Sequence, residues 1–166
     1  MERFLQLKQQ SIRNLEIAEH LLTVTYPLLK DPKLLLGVSE NIFLSLTNSM
    51  SSVLYYEYTF KKIPGFNDDF DSKLSVFTRR IIPRYNIGRD RLQLLQDMRD
   101  LVLKHKQSPV EFTRKDSYII CDDEYEDIQI LEAPKLRDFL EKAKKFQLDM
   151  AQITEEHENL FKRRAI

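Results

Sequence analysis

Apolar residues return every third or fourth position along five stretches of this chain, the spacing that lines one face of an α-helix. The first stretch, about 2–29, sets Leu5, Ile12, Leu15 and Leu22 on one stripe and Ile17, Leu21, Val24 and Leu28 beside it. Two adjoining stripes give the wide apolar face of a helix with two neighbours. Asp31-Pro32 interrupts it, because proline lacks an N–H and restricts the residue before it. The second stretch runs from about 32 or 33 to Ile63, ahead of Pro64-Gly65. Its middle mixes Ser45, Thr47, Asn48, Ser49, Ser51 and Ser52 with Tyr55, Tyr56 and Tyr58. Small polar side chains let helices approach closely, so this segment is expected to be a central helix or a self-association face.

The third helix is expected to start at Asn67, where a capping side chain meets Asp68, Asp69 and Asp71 at the positive end of the dipole. It is expected to end near Ile82, before Pro83. A fourth follows Gly88 and carries Leu92, Leu95, Met98, Leu101, Val102 and His105 on one face, up to Ser108-Pro109. The last begins around Pro134, a favoured first-turn residue, with a stripe of Leu136, Leu140, Ala143, Phe146, Met150 and Ile153.

Residues 110–131 break this pattern. Tyr118-Ile119-Ile120-Cys121 and Ile128-Gln129-Ile130-Leu131 are short β-branched runs around the acidic turn Asp122-Asp123-Glu124, which predicts a small β-hairpin near 117–131. A lone two-stranded hairpin is marginal, so it must pack on helices. The expected architecture is therefore mainly α: a bundle of about five helices forming one domain over 1–166, with a hairpin before the last helix. Only three glycines in 166 residues fit long unbroken helices.

Charge and cysteine content narrow the chemistry. The net charge is zero, and a single cysteine, Cys121, allows neither an internal disulfide nor a thiolate zinc cage. The opening Met1-Glu2-Arg3-Phe4 lacks a signal-peptide core, and no apolar run reaches the length of a membrane span, so a cytoplasmic protein without a membrane partner is expected. Three histidines on separate helices have no metal-ligand spacing, and no glycine-rich phosphate loop is present, so neither metal nor cofactor is expected. Zero net charge nevertheless hides two blocks. Residues 73–115 hold eleven basic and four acidic residues; residues 116–132 hold seven acidic and no basic ones. The blocks either form a phosphate-attracting surface with an acidic flap or neutralise each other across an interface.

Within the basic block, Arg99-Asp100 is followed by His105 after four further residues. An Arg, a polar residue and a spaced His on a late helix of an all-α bundle resemble the motif of the HEPN superfamily, and Leu15–Leu22 resembles that family's opening helix. The resemblance implies a metal-independent endoribonuclease of toxin or defence type. Its partners would be RNA, a second copy in a homodimer with motifs facing across the interface, and an antitoxin protein. In that chemistry the ribose 2′-hydroxyl attacks the adjacent phosphate. His105 would act as general acid or base, Arg99 would hold the phosphate, and Asp100 would orient one of them. Lys104, Lys106, Arg114 and Lys115 are the accompanying candidates for phosphate or RNA binding.

Helix geometry restricts this reading. Positions six apart differ by about 120° around the axis, so either the last turn before Pro109 unwinds or each residue meets a partner's counterpart. The plainer alternatives are a His105 packed at the core edge and an Arg99–Asp100 surface pair. The chain would then be a non-catalytic RNA- or nucleotide-binding domain, or a helical interaction module.

Overall fold

Each of the five periodic stretches is a helix in the computed structural model of the protein, which describes residues 2–108 and 110–164, with side chains through 155. Helix α1 runs Arg3–His20, passes through a π-helical turn Leu21–Thr25 and finishes with Tyr26–Leu29. Helix α2 is Leu34–Thr59. Helix α3 combines Phe70–Val76, a second π-helical turn Phe77–Ile81 and Ile82–Tyr85. Helix α4 is Arg89–Gln107 and α5 is Ala133–Arg164. Among the described residues no helix is long and apolar enough to cross a membrane.

The Ser-rich α2 is the central helix. Leu35, Val38, Ile42, Leu46, Met50, Val53 and Leu54 are fully buried along it, and α1, α4 and α5 pack around it. Its small residues bring α1 close: the Ser45 hydroxyl donates to the Ser11 carbonyl at 2.8 Å. Asn48 donates to Asn14 at 3.1 Å, and Asn14 to Asn41 at 3.3 Å. These directional bonds fix the α1–α2 register, which dispersion contacts alone would leave free to slide.

Helix α3 does not stop at Ile82; it continues through Pro83 to Tyr85. A proline ring would strike the carbonyl of the preceding turn in a regular helix. Here the π turn ahead of it widens the helix, with the Ile82 N–H bonded to the Phe77 carbonyl five residues back. The first helix passes Pro27 the same way, through the bond from the Tyr26 N–H to the Leu21 carbonyl. Both helices then end on left-handed residues, Lys30 and Asn86, each with φ 52°. The start of α3 is also later than expected, because Asp69, not Asn67, caps it by accepting from the Ser72 N–H at 2.8 Å.

The expected hairpin is two strands of a three-stranded antiparallel sheet in the order β1-β2-β3: Val110–Arg114, Ser117–Cys121 and Ile128–Leu131. A two-residue turn, Lys115-Asp116, joins β1 to β2, with Lys115 left-handed at φ 54°. Tyr118, Ile120 and Leu131 join the helical core, so the sheet caps the bundle by one face.

Candidate functional site

The motif residues sit on α4, which stays α-helical through Gln107, so the last turn does not unwind. Pro109, the expected stop, lies outside the described residues. Six residues of regular helix separate Arg99 from His105 by about 9 Å along the axis and about 120° around it. Their partners differ accordingly. The Arg99 guanidinium donates to Asp71 at 2.8 Å and to Asp100 at 3.4 Å, with Phe70 beneath it. Asp100 therefore orients Arg99 and not the imidazole.

His105 is held by residues that sequence reasoning missed. Its Nδ1 lies 2.5 Å from a Glu111 oxygen on β1, and its Nε2 lies 3.6 Å from Glu40 on α2. The other Glu111 oxygen accepts from the Tyr118 hydroxyl at 2.6 Å. Burial, and then the bond to Glu111, push the Tyr118 hydroxyl up to about 12. The carboxylate on Nδ1 fixes the ring orientation, as the partner of a general base or acid would, and leaves Nε2 facing Glu40. The sequence does not reveal this, because the alternation Val110-Glu111-Phe112-Thr113-Arg114 would turn the apolar Val110 and Phe112 inward and Glu111 outward.

Two clefts flank the sheet, and their charges are opposite. Beside the motif, a cavity of about 510 Å³ is lined by Lys104 with Asp100, Asp122 and Asp127, an excess of two negative charges. Lys104 is itself ion-paired with Asp127. A phosphate entering there would meet carboxylates. At the other end of the sheet, a cavity of about 640 Å³ lies between the end of α1, the β1–β2 turn and the start of α5. It is lined by Lys30, Lys115 and Arg137 against Asp116 and Glu132, a net positive charge.

The cations of this second cleft are free of neutralising contacts. Among the described residues no ion pair joins Lys30, Lys115 or Arg137 to a carboxylate. Of the two acids beside them, Glu132 uses its carboxylate in a structural bond, whereas Asp116 contributes its backbone carbonyl. Glu132 accepts from the Ser117 hydroxyl at 3.2 Å, and the Asp116 carbonyl accepts from Tyr26 at 3.2 Å. Burial first, and Asp116 second, raise the Tyr26 hydroxyl above its ordinary pKa, so it remains a neutral donor. Both lysines stand at left-handed positions, where an L side chain costs about 1–2 kcal/mol.

Of the phosphate-binding candidates, Lys115 is in this cleft. Arg114, exposed, ends β1 next to it. Lys104 and the exposed Lys106 remain on α4, apart from it. Lys30 and Arg137 were not singled out in the sequence. Lys30 follows Leu28-Leu29 and Arg137 follows Leu136, ordinary surface positions until the fold brings them together. Among the described residues no three His, Cys, Asp or Glu side chains converge as metal ligands do. No protein-family profile, curated protein or solved structure matches the chain.

Proposed function

We propose that this protein is a HEPN-like helical domain that binds phosphate groups of RNA without cutting the strand, and that it does so in the Lys30–Lys115–Arg137 cleft. The carrying observation is the distribution of neutralised charge. Arg99, Lys104 and His105 are each paired with a carboxylate, whereas among the described residues none of the three cleft cations is ion-paired, although Asp116 and Glu132 line the same cleft. Unpaired cations in a concave site attract a polyanion and gain free energy by displacing its counterions.

The cleft is small beside a duplex, so a single strand or a nucleotide end suits it better. The test is binding of a fluorescently labelled single-stranded RNA in EDTA, read at several salt concentrations and followed by a gel for strand integrity. Binding should weaken steeply with salt, the RNA should stay intact, and Lys115→Glu with Arg137→Glu should lower affinity by about tenfold or more. Equal affinity in that double variant would overturn the assignment.

One observation favours the ribonuclease as a second reading: the Glu111 carboxylate on His105 Nδ1 at 2.5 Å. Cleavage by the wild type that disappears in both His105→Ala and Arg99→Ala, with each variant folded, would establish that reading instead.

A further inference from the structure

One face of the sheet is in the core; the other is apolar, with Ile119 and Cys121 of the central strand buried and Phe112, Ile128 and Ile130 of the two edge strands exposed. Cross-strand register sets Phe112, Ile119 and Ile130 in one row, and Val110, Cys121 and Ile128 in the next. Alternation along each strand places all six on the face opposite Tyr118, Ile120 and Leu131. On the two edge strands this face is open to solvent, with Phe112 39%, Ile128 49% and Ile130 43% exposed. A soluble sheet with one face in a core normally turns polar residues outward on the other. This one does not.

The two ends of the same sheet carry opposite charge. At the β1–β2 end stand Arg114 and Lys115, beside the cleft with Lys30 and Arg137. At the β2–β3 end the loop carries Asp122, Asp123, Glu124, Glu126 and Asp127, of which Asp127 is paired with Lys104. We infer that the outer face is the dimer interface of the protein. Two copies meet face to face about a two-fold axis that runs across the strands.

That axis, unlike one along the strands, reverses the strand direction of the second copy. It sets each acidic loop over the partner's basic end, and the arrangement is self-complementary, as an isologous interface requires. An axis along the strands would put acid on acid and base on base. Charge thus selects both the occupant and its orientation.

Magnitude decides how much the charged ends matter. Three strands about 4.8 Å apart and about 17 Å long present a footprint of roughly 240 Å². A standard interface buries roughly 800 Å² per partner, so the apolar rows supply at most about a third of it, the central strand being buried already. The loops and turns must supply the rest, and the association should depend strongly on salt.

The inference does not rest on the RNA reading; the partner's acidic loop would compete with RNA for the basic end, so the test uses protein alone. Sedimentation equilibrium of the full chain, free of nucleic acid, should show a monomer–dimer equilibrium. The dissociation constant should rise by about tenfold or more between about 0.05 and 0.5 M salt. Ile130→Asp should give monomers. Because Ile130 is exposed, the variant keeps its core, which far-UV circular dichroism checks.

A charge exchange provides the second arm. Arg114→Glu/Lys115→Glu and Asp122→Lys/Asp123→Lys/Glu124→Lys chains should each dimerise poorly alone. Mixed, they should recover at both ends, because each contact in the mixed dimer again sets an acidic segment over a basic one. A wild type that stays monomeric up to about 1 mM, a dimer unaffected by Ile130→Asp, or a mixture no tighter than its components would overturn the inference.

Discussion

The buried carboxylate of Glu57 makes a quantitative demand on the end of α3. Its side chain is fully buried; one oxygen accepts from the Arg84 guanidinium at 2.6 Å and the other from the Tyr85 hydroxyl. Removing one member of a buried pair leaves an uncompensated charge, at a cost of about 3–5 kcal/mol. Arg84 is 37% exposed, so solvent screens part of this interaction and the expected loss in Arg84→Ala falls to about 2–3 kcal/mol. For a chain of this length that is a drop in melting temperature of about 5–10 °C. Glu57→Gln should cost less, about 1 kcal/mol. The amide oxygen still accepts from Tyr85, and the half-exposed Arg84 can turn to water. In the double variant no charge is stranded, so its loss should be smaller than the sum of the two. Urea unfolding followed by far-UV circular dichroism gives all three values. A loss below about 0.5 kcal/mol for Arg84→Ala, or a Glu57→Gln loss equal to it, would refute the reasoning.

The Ser51 hydroxyl on α2 is buried without a partner among the described residues, so Ser51→Ala should raise stability by about 1 kcal/mol in the same unfolding assay; a decrease would mean the hydroxyl is satisfied. Tyr118 holds its proton up to about 12, above the value of 10 of a free phenol. Its contribution is therefore present below pH 10 and is lost as pH rises through 12, so the alkaline fall in stability should be shallower in Tyr118→Phe than in wild type. Lys30→Gly relieves a left-handed backbone and should gain about 0.5–1 kcal/mol, net of the freedom glycine has when unfolded. The same variant should bind RNA more weakly, a split between stability and binding that a purely structural lysine would not produce.

The helices were legible in the sequence because their signal is local: an apolar face repeats within each stretch regardless of what covers it. Pro83 misled, because a single-residue rule places the end of a helix at proline. The π turn that lets α3 pass it depends on Phe77 and Ile81 being locked in the core. The residues gained by that passage, Arg84 and Tyr85, are the ones that reach Glu57. Strand β1 escaped notice because Val110 and Phe112 are its only strong apolar residues. Its pairing with β2 gives the segment its identity, and that pairing is tertiary.

The site was less legible than the fold. Spacing suggested Arg99 and His105 together, but one helix carries them to different partners. The glutamate that orients His105 lies on a strand, and the cations of the larger cleft come from the end of α1, a turn and the start of α5. Charge counted along the chain located a basic block. Which of its members are neutralised is decided by residues distant in sequence, such as Asp71 for Arg99.

The central claim is that RNA phosphate is recognised in the Lys30–Lys115–Arg137 cleft and not at the α4 motif. The most direct measurement is titration of the ¹⁵N-labelled protein with a short single-stranded RNA, following backbone amide shifts by nuclear magnetic resonance. The account predicts saturable changes clustered at 26–30, 114–117 and 132–137, with 99–105 unmoved. Changes centred on Arg99 and His105, or none at all, would contradict it.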